Sequence, residues 1–341
     1  MPPAAQIRLT PPTRPSPSTR GRQPVVHDSI AGSAGYIRVG REILRRFDRL
    51  PVDVHALSGA LALLAPRGAT GESLTGLPRG QMLLVRASDA PALRVALPDA
   101  IEAMLCDGRD TRAAYAAAYS AAAALTSRLF WPDAVWTHDD LVGVEGIADV
   151  FASALFVDEG AFMDFVRSMD HTSGWAYGAL NTAVYALAIG IRAGAAGDAL
   201  APLARGAMLH DIGKVRLPAG IVDIAGDLSP TARRVVQTHP AVGCAMLRSL
   251  YGGIDPDYSA VVLHHQERMD GSGYPDGLVG EAIPPGARIV AVAEVFDALT
   301  CARPNREAMG AFEALRTMRD SMVGQFDDAL LVGFIKMLAE D

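Results

Sequence analysis

Histidine and carboxylate side chains concentrate in four short segments of the second half of this chain: His210-Asp211-Ile212-Gly213-Lys214, His239-Pro240, His264-His265, and Glu294 with Asp297. Twenty-eight residues separate Asp211 from His239, 25 separate His239 from His264, and 29 separate His265 from Glu294. Those intervals exclude a compact zinc finger and suit a helical bundle to which each helix brings one or two ligands. Nitrogen and oxygen donors without sulfur fit Fe, Mn, Zn or a similar divalent ion. A carboxylate such as Asp211 can bridge two ions, and two closely spaced ions activate a water at neutral pH and clamp both oxygens of a phosphoryl displacement. Lys214, three residues beyond Asp211 on the same helical face, can hold a positive charge over that centre. Hydrolysis at phosphorus is the chemistry expected. Taken singly, His239 reads as a hydrogen-bonded core histidine and Glu294 with Asp297 as a solvated helix face; only the conjunction points to metal.

The elements that must position these groups are mostly helical. From about Asp139 to Asp341 the apolar period is that of helices, with loops at Leu217-Pro218-Ala219-Gly220, from Asp270 to Gly280 and at Pro284-Pro285-Gly286. Ala176 to Ile191 is the most apolar stretch, but Asn181 interrupts it and Arg192 closes it, so it reads as a buried core helix and no membrane span is expected. Ahead of it, the Ala-rich run Thr111 to Arg128 predicts a long helix, either a dimer contact or an interdomain spacer. Residues 34–107 read as a small α/β regulatory module: helical spacing from Tyr36 to Phe47, a hairpin from Val52–Leu57 and Leu61–Ala65 about Ser58-Gly59, and a strand from Gln81 to Val85. The expected organisation is a disordered tail over 1–33, the α/β module over 34–107, a helical linker over 108–138 and the helical metal domain over 139–341.

Composition narrows the partners. Half of the 341 residues are hydrophobic, and 31 Lys plus Arg against 38 Asp plus Glu give a net charge of −7, which argues against nucleic-acid coating through bulk charge. Any anionic ligand needs a locally basic pocket. Cys106, Cys244 and Cys301 lie far apart with no C-x-x-C pair, which suits a reducing compartment, hence the cytoplasm. The first 23 residues carry Arg, Pro, Ser and Thr without an apolar run, unlike a secretory signal.

The His-Asp pair, the His239-Pro240 step, His264-His265, the run Asp270-Gly271-Ser272-Gly273-Tyr274-Pro275 and the segment Arg288 to Arg306 together resemble the HD-GYP family of metal-dependent phosphohydrolases, over roughly Asp164 to Leu338. The resemblance implies a mainly α fold, an HD-type helical bundle in the C-terminal half preceded by the small α/β domain. It implies a cyclic di-GMP phosphodiesterase yielding pGpG and/or GMP in bacterial signalling, with one or two divalent ions (Fe, Mn or similar) per chain. By motif, His210, Asp211, His239, His264, His265 and Glu294 would bind metal, and Asp211 and Lys214 would be catalytic, with Lys214 on the scissile phosphate. Gly273, Tyr274 and Pro275 would shape the pocket mouth, and Arg303 and Arg306 would meet guanine or phosphate.

Three positions depart from the family pattern. Gly178 stands where the first helix of the family carries a metal-binding histidine, and Gly174 where some members add a glutamate. His171, seven residues before Gly178, reads as a surface or helix-cap residue. Glu294 replaces an aspartate, and Asn305 an aromatic residue. The resemblance puts the changes at Gly178 and Glu294 on one metal position, with His239, His264 and His265 serving the other. Two readings follow: a phosphodiesterase with an incomplete site, or an impaired module that binds cyclic di-GMP or a partner, such as a GGDEF-domain cyclase, without hydrolysis. A homodimer is compatible with either.

Overall fold

The computed structural model describes residues 36–39, 44–58, 60–78, 83–106, 111–127, 129–130, 134–157, 161–169, 174–218, 221, 229–302 and 307–340. The expected tail over 1–33 lies outside them.

Four short strands, β1 (Tyr36–Val39), β2 (Val54–Ser58), β3 (Ala60–Ala65) and β4 (Leu83–Arg86), form an antiparallel sheet in the order β1-β4-β2-β3. The expected β2–β3 hairpin is present, as is the third strand, shifted to Leu83–Arg86. The helical reading of Tyr36 to Phe47 is corrected. Tyr36–Val39 is a strand paired residue by residue with β4, Tyr36 opposite Arg86 and Val39 opposite Leu83. An aromatic residue and two β-branched ones in four positions favour a pleated ribbon once a partner edge is present.

The remainder is helical: α1 (Ala90–Cys106), α2 (Thr111–Thr126), α3 (His138–Val157), α4 (Ala161–Ser168), α5 (Trp175–Arg192), α6 (Leu200–Leu209), a 3-10 turn at Ile212–Arg216, then α7 (Pro230–Val236), α8 (His239–Leu250), α9 (Ser259–His264), α10 (Pro285–Thr300), α11 (Ala311–Ser321) and α12 (Asp328–Glu340). Pro285-Gly286, expected in a loop, opens α10, where a proline at the first helical position loses no hydrogen bond. The chain is mainly α.

Helix α5 is the axis of the core. It is buried from Ala179 through Gly190 because it is apolar on every face, and α2, α3, α4, α6, α10 and α12 pack around it. Tyr185 of α5, Phe296 of α10 and Phe334 of α12 meet edge to face, with centroids 5.0, 4.9 and 5.9 Å apart, an arrangement worth about 0.5–1.5 kcal/mol per pair beyond burial. The Ala-rich helix α2 buries Ala118, Ala121, Ala122 and Ala123 and packs on α1, α4, α5 and β1 of its own chain. Residues 36–341 cluster as one compact unit. Among the described residues no helix is long and apolar enough to cross a membrane.

Candidate metal centre

Each histidine of the centre is aimed by the helix end that carries it. His210 follows α6, and its Nδ1 lies 2.7 Å from the carbonyl of Ala207. His239 opens α8 with Nδ1 2.7 Å from the carbonyl of Val236, and His265 follows α9 with Nδ1 2.8 Å from the carbonyl of Val262. A carbonyl only accepts, so Nδ1 carries the proton in all three and Nε2 presents a lone pair. The three rings are almost fully buried, and their Nε2 atoms turn to one carboxylate. His210 Nε2 lies 3.3 Å from Asp211 Oδ2, while His239 Nε2 and His265 Nε2 lie 3.2 and 3.8 Å from Asp211 Oδ1.

The close approach depends on Gly213. A Cβ there would stand 2.0 Å from the carbonyl oxygen of His239 and 2.6 Å from the amide of Gly243, so only glycine lets the 3-10 turn lie against the start of α8 and bring Asp211 to His239.

Two groups of donor atoms share Asp211: Asp211 with His239 and His265, and His210 with Asp211 and Glu294, the atoms of each group lying within 4.8 Å of one another. Asp211 Oδ1 is buried without a hydrogen-bond partner. His239 Nε2 and His265 Nε2 stand 3.1 Å apart, two lone pairs face to face. Bare acceptors so arranged repel, and a cation among them relieves it, so the donor set fits a divalent ion. Burial opposes the ionised form of Asp211, but Lys214, His210 and His239 outweigh it and hold its carboxyl well below the usual carboxylate range. Burial, reinforced by His210 and His239, keeps His265 neutral far below its ordinary value. For His210 burial acts in the same sense, but Asp211 and Glu294 prevail and raise it.

Lys214 reaches back over the turn, with Nζ 2.5 Å from Asp211 Oδ2. Glu294 is held through both oxygens by the side-chain amide of Gln266, at 2.8 and 3.0 Å. Half-buried Tyr274 sets its ring edge on to His239, 6.1 Å between centroids, and burial, with the charges of Glu294 and Asp211, raises its phenol above the ordinary range. His264 stands in another group: its Nδ1 is 3.7 Å from Asp276 Oδ2 and 3.9 Å from Glu267 Oε1. Arg303, Asn305, Arg306 and His171 lie outside the described residues. On α5, a Cβ at Gly178 would sit 3.6 Å from Asp297 Oδ2, so the position where the resemblance expects a histidine does face the helix that carries Glu294.

Sequence reasoning missed Glu267. Its buried carboxylate accepts backbone N–H groups from Asp276, Gly277 and Leu278 at 2.8, 3.1 and 3.1 Å and ties down the loop that follows Tyr274-Pro275. Gly273 lets that loop cross back over the chain, because a Cβ there would lie 2.4 Å from the amide of Arg268 and from Glu267 Cα. An acid two residues after His265 is the only sequence signal, and it does not reveal which amides it binds.

A family model described as "HD domain" matches residues 171–330, the segment that holds all these groups. The "Cyclic di-GMP phosphodiesterase response regulator RpfG" of Xanthomonas campestris pv. campestris is 45% identical over 131 residues, 37% of this chain and 35% of that protein. This segment is an HD-GYP domain. The "3'3'-cGAMP-specific phosphodiesterase 1" of Vibrio cholerae is 39% identical over 113 residues, 33% of this chain and 26% of that protein. The matches thus span between about a quarter and about a third of these relatives' length. Beyond the HD-GYP domain, Bd1817, described as a HDG"Y"P protein from Bdellovibrio bacteriovorus, shares the fold over 89% of this chain and 99% of its own, with a TM-score of 0.60 at 18% identity.

Proposed function

We propose that the chain is a metal-dependent phosphodiesterase that opens the ring of cyclic di-GMP, giving pGpG and/or GMP. The observation that carries this reading is the pair of imidazole Nε2 atoms 3.1 Å apart over the buried, unpartnered Oδ1 of Asp211. Asp211, His239 and His265 would hold one ion, and His210, Asp211 and Glu294 a second, with Fe or Mn as the expected occupants. A divalent ion supplies Lewis acidity to a water and to a phosphoryl oxygen. Lys214, now on Asp211, would turn to the scissile phosphate and balance its charge, while Asp211 would serve as a ligand in both donor groups. Tyr274, with Gly273 and Pro275, would wall the mouth of the site. Arg303 and Arg306 would supply the cationic contacts that the net charge of −7 does not. His264 would act through its other nitrogen, oriented by Glu267 and Asp276.

Support for the substrate comes from the names of the relatives, which include both cyclic di-GMP and 3'3'-cGAMP phosphodiesterases. The same reading puts the chain in the cytoplasm. Incubating Mn-loaded protein with each dinucleotide and separating the products tests it. Linear product from cyclic di-GMP is expected, and two intact dinucleotides in the presence of bound metal would overturn it.

Two observations favour a second reading, a receptor that binds the dinucleotide or a GGDEF-domain partner without hydrolysis. Gly178 puts no ligand where the resemblance expects one, and the Glu294 carboxylate is engaged by Gln266. Binding without turnover at full metal occupancy is its signature.

A further inference from the structure

A hydrogen-bonded line enters the metal domain from outside the segment that matches the family. Tyr119 of α2 donates its phenol to Asn181 Oδ1 at 2.6 Å, and Asn181 Nδ2 donates to Asp297 Oδ1 at 2.7 Å. Tyr119, Asn181 and Asp297 are 1, 0 and 6% exposed. Cys301 Sγ, just past the end of α10, also donates to Asp297 Oδ1, at 3.3 Å. Asp297 lies three residues beyond Glu294, on the same face of α10. On α5, Asn181 lies one turn beyond Gly178, whose missing side chain would meet the other oxygen of Asp297.

The polarity of this line matters. The amide of Asn181 can be turned either way round, and the phenol on one side with the carboxylate on the other selects one orientation. Without the phenol, a buried carbonyl oxygen loses that donor, and turning the amide over would set oxygen against oxygen at Asp297. The hydroxyl of Tyr119 therefore helps fix how α5 sits against α10, which is the register that places Glu294 opposite His210 and Asp211. Helix α2 in turn packs on β1, so the line joins the small sheet to the metal site.

We propose that Tyr119 is a positioning residue for the Glu294 half of the metal site, and that through it the N-terminal module sets how firmly the second ion is held. This rests on the two-ion reading given above.

The test is Mn²⁺ titration of the full chain, followed by calorimetry and by electron paramagnetic resonance of the bound ion, without nucleotide. In the unmodified protein two binding steps and a spin-coupled signal are expected. Tyr119→Phe should weaken the second step on the order of 10-fold, as loss of a supporting hydrogen bond does at metal sites, and leave the first unchanged. Tyr115→Phe, on the same helix and packed on Phe165 at 4.7 Å, should change neither step. Asn181→Asp should also weaken the second step, and adding Asp297→Asn, which reverses the donor while keeping an acceptor for Tyr119, should restore it; this pair decides the matter should Tyr119→Phe fail to fold. An unchanged second step in Tyr119→Phe, or equal weakening of both steps, would overturn the inference while the two-ion reading stands. Fewer than two Mn²⁺ per unmodified chain would overturn that reading, and the inference with it.

Discussion

His239 and His265 bring their Nε2 atoms to 3.1 Å of one another while each Nδ1 faces a backbone carbonyl. Neither ring can turn its proton toward the other without giving up that bond, so a bound cation stabilises the pair. A ligand that binds only the folded chain adds stability as its concentration rises, about 2.7 kcal/mol at 100 times its dissociation constant. Chelator-treated protein should unfold at a lower temperature than protein in Mn²⁺, and the midpoint should climb with added ion. A midpoint indifferent to metal would remove the basis for placing an ion here.

Asp211 belongs to both donor groups, whereas His239 belongs to one. Asp211→Ala should therefore leave no bound metal, and His239→Ala should retain the ion near His210 and Glu294. Elemental analysis of the two purified variants distinguishes them. Equal metal content in Asp211→Ala and the parent would show that the carboxylate is a structural partner of Lys214 and no more.

The residues of the centre were legible because their chemistry is unusual: histidines and an aspartate without sulfur have few reasons to recur near helix ends. The core helix α5 was legible from its apolar run, interrupted at Asn181 and closed by Arg192. His264 was grouped with His265 by adjacency, yet neighbouring positions at a helix end project about 100° apart, and the two rings enter different groups. The strand Tyr36–Val39 needs an edge 44 to 50 residues downstream, with Val39 against Leu83 at one end and Tyr36 against Arg86 at the other, and no local window contains both. Nothing in the Ala-rich run from Thr111 to Arg128 singles out Tyr119. Its partner is set by the packing of α2 on α5, which periodicity does not specify.

Gly178 and Glu294 can be returned to the pattern the resemblance implies. A side chain at Gly178 starts 3.6 Å from Asp297 Oδ2, in ordinary contact, so Gly178→His should be accommodated. Combined with Glu294→Asp, it should raise occupancy of the second ion and the rate of cyclic di-GMP hydrolysis, by tenfold or more on the usual scale of ligand effects. Metal content and turnover read together check this. No change in either would mean that α5 does not present that position to the ion.

Glu267 holds three backbone amides of the loop after Tyr274-Pro275. Glu267→Gln keeps the shape, but removes the charge and turns a donor toward an N–H. Hydrogen bonds to a buried charge contribute about 1.5–3 kcal/mol each, so a loss of roughly 2–4 kcal/mol is expected after partial relaxation. Denaturant unfolding measures it, and limited proteolysis should cut within 270–280 sooner than in the parent. Unaltered stability and an equally resistant loop would mean that the amides are satisfied without the charge.

Tyr251 and Tyr258 both donate to the Glu145 carboxylate, which joins α3 to the α8–α9 segment next to the centre. Burial first, then the hydrogen bond to Glu145, pushes the Tyr251 phenol up from 10.0 to about 12, and burial with the Glu145 charge raises Tyr258 further still. A folded value above the unfolded one means that the neutral phenol favours the fold. The contribution is complete below pH 10 and is lost as pH rises toward about 12. The unfolding midpoint should fall across that interval, and the fall should be smaller in Tyr251→Phe with Tyr258→Phe, which cannot ionise. An alkaline fall of equal size in the double variant would assign it to other groups and leave Glu145 as a strut without a titrating partner.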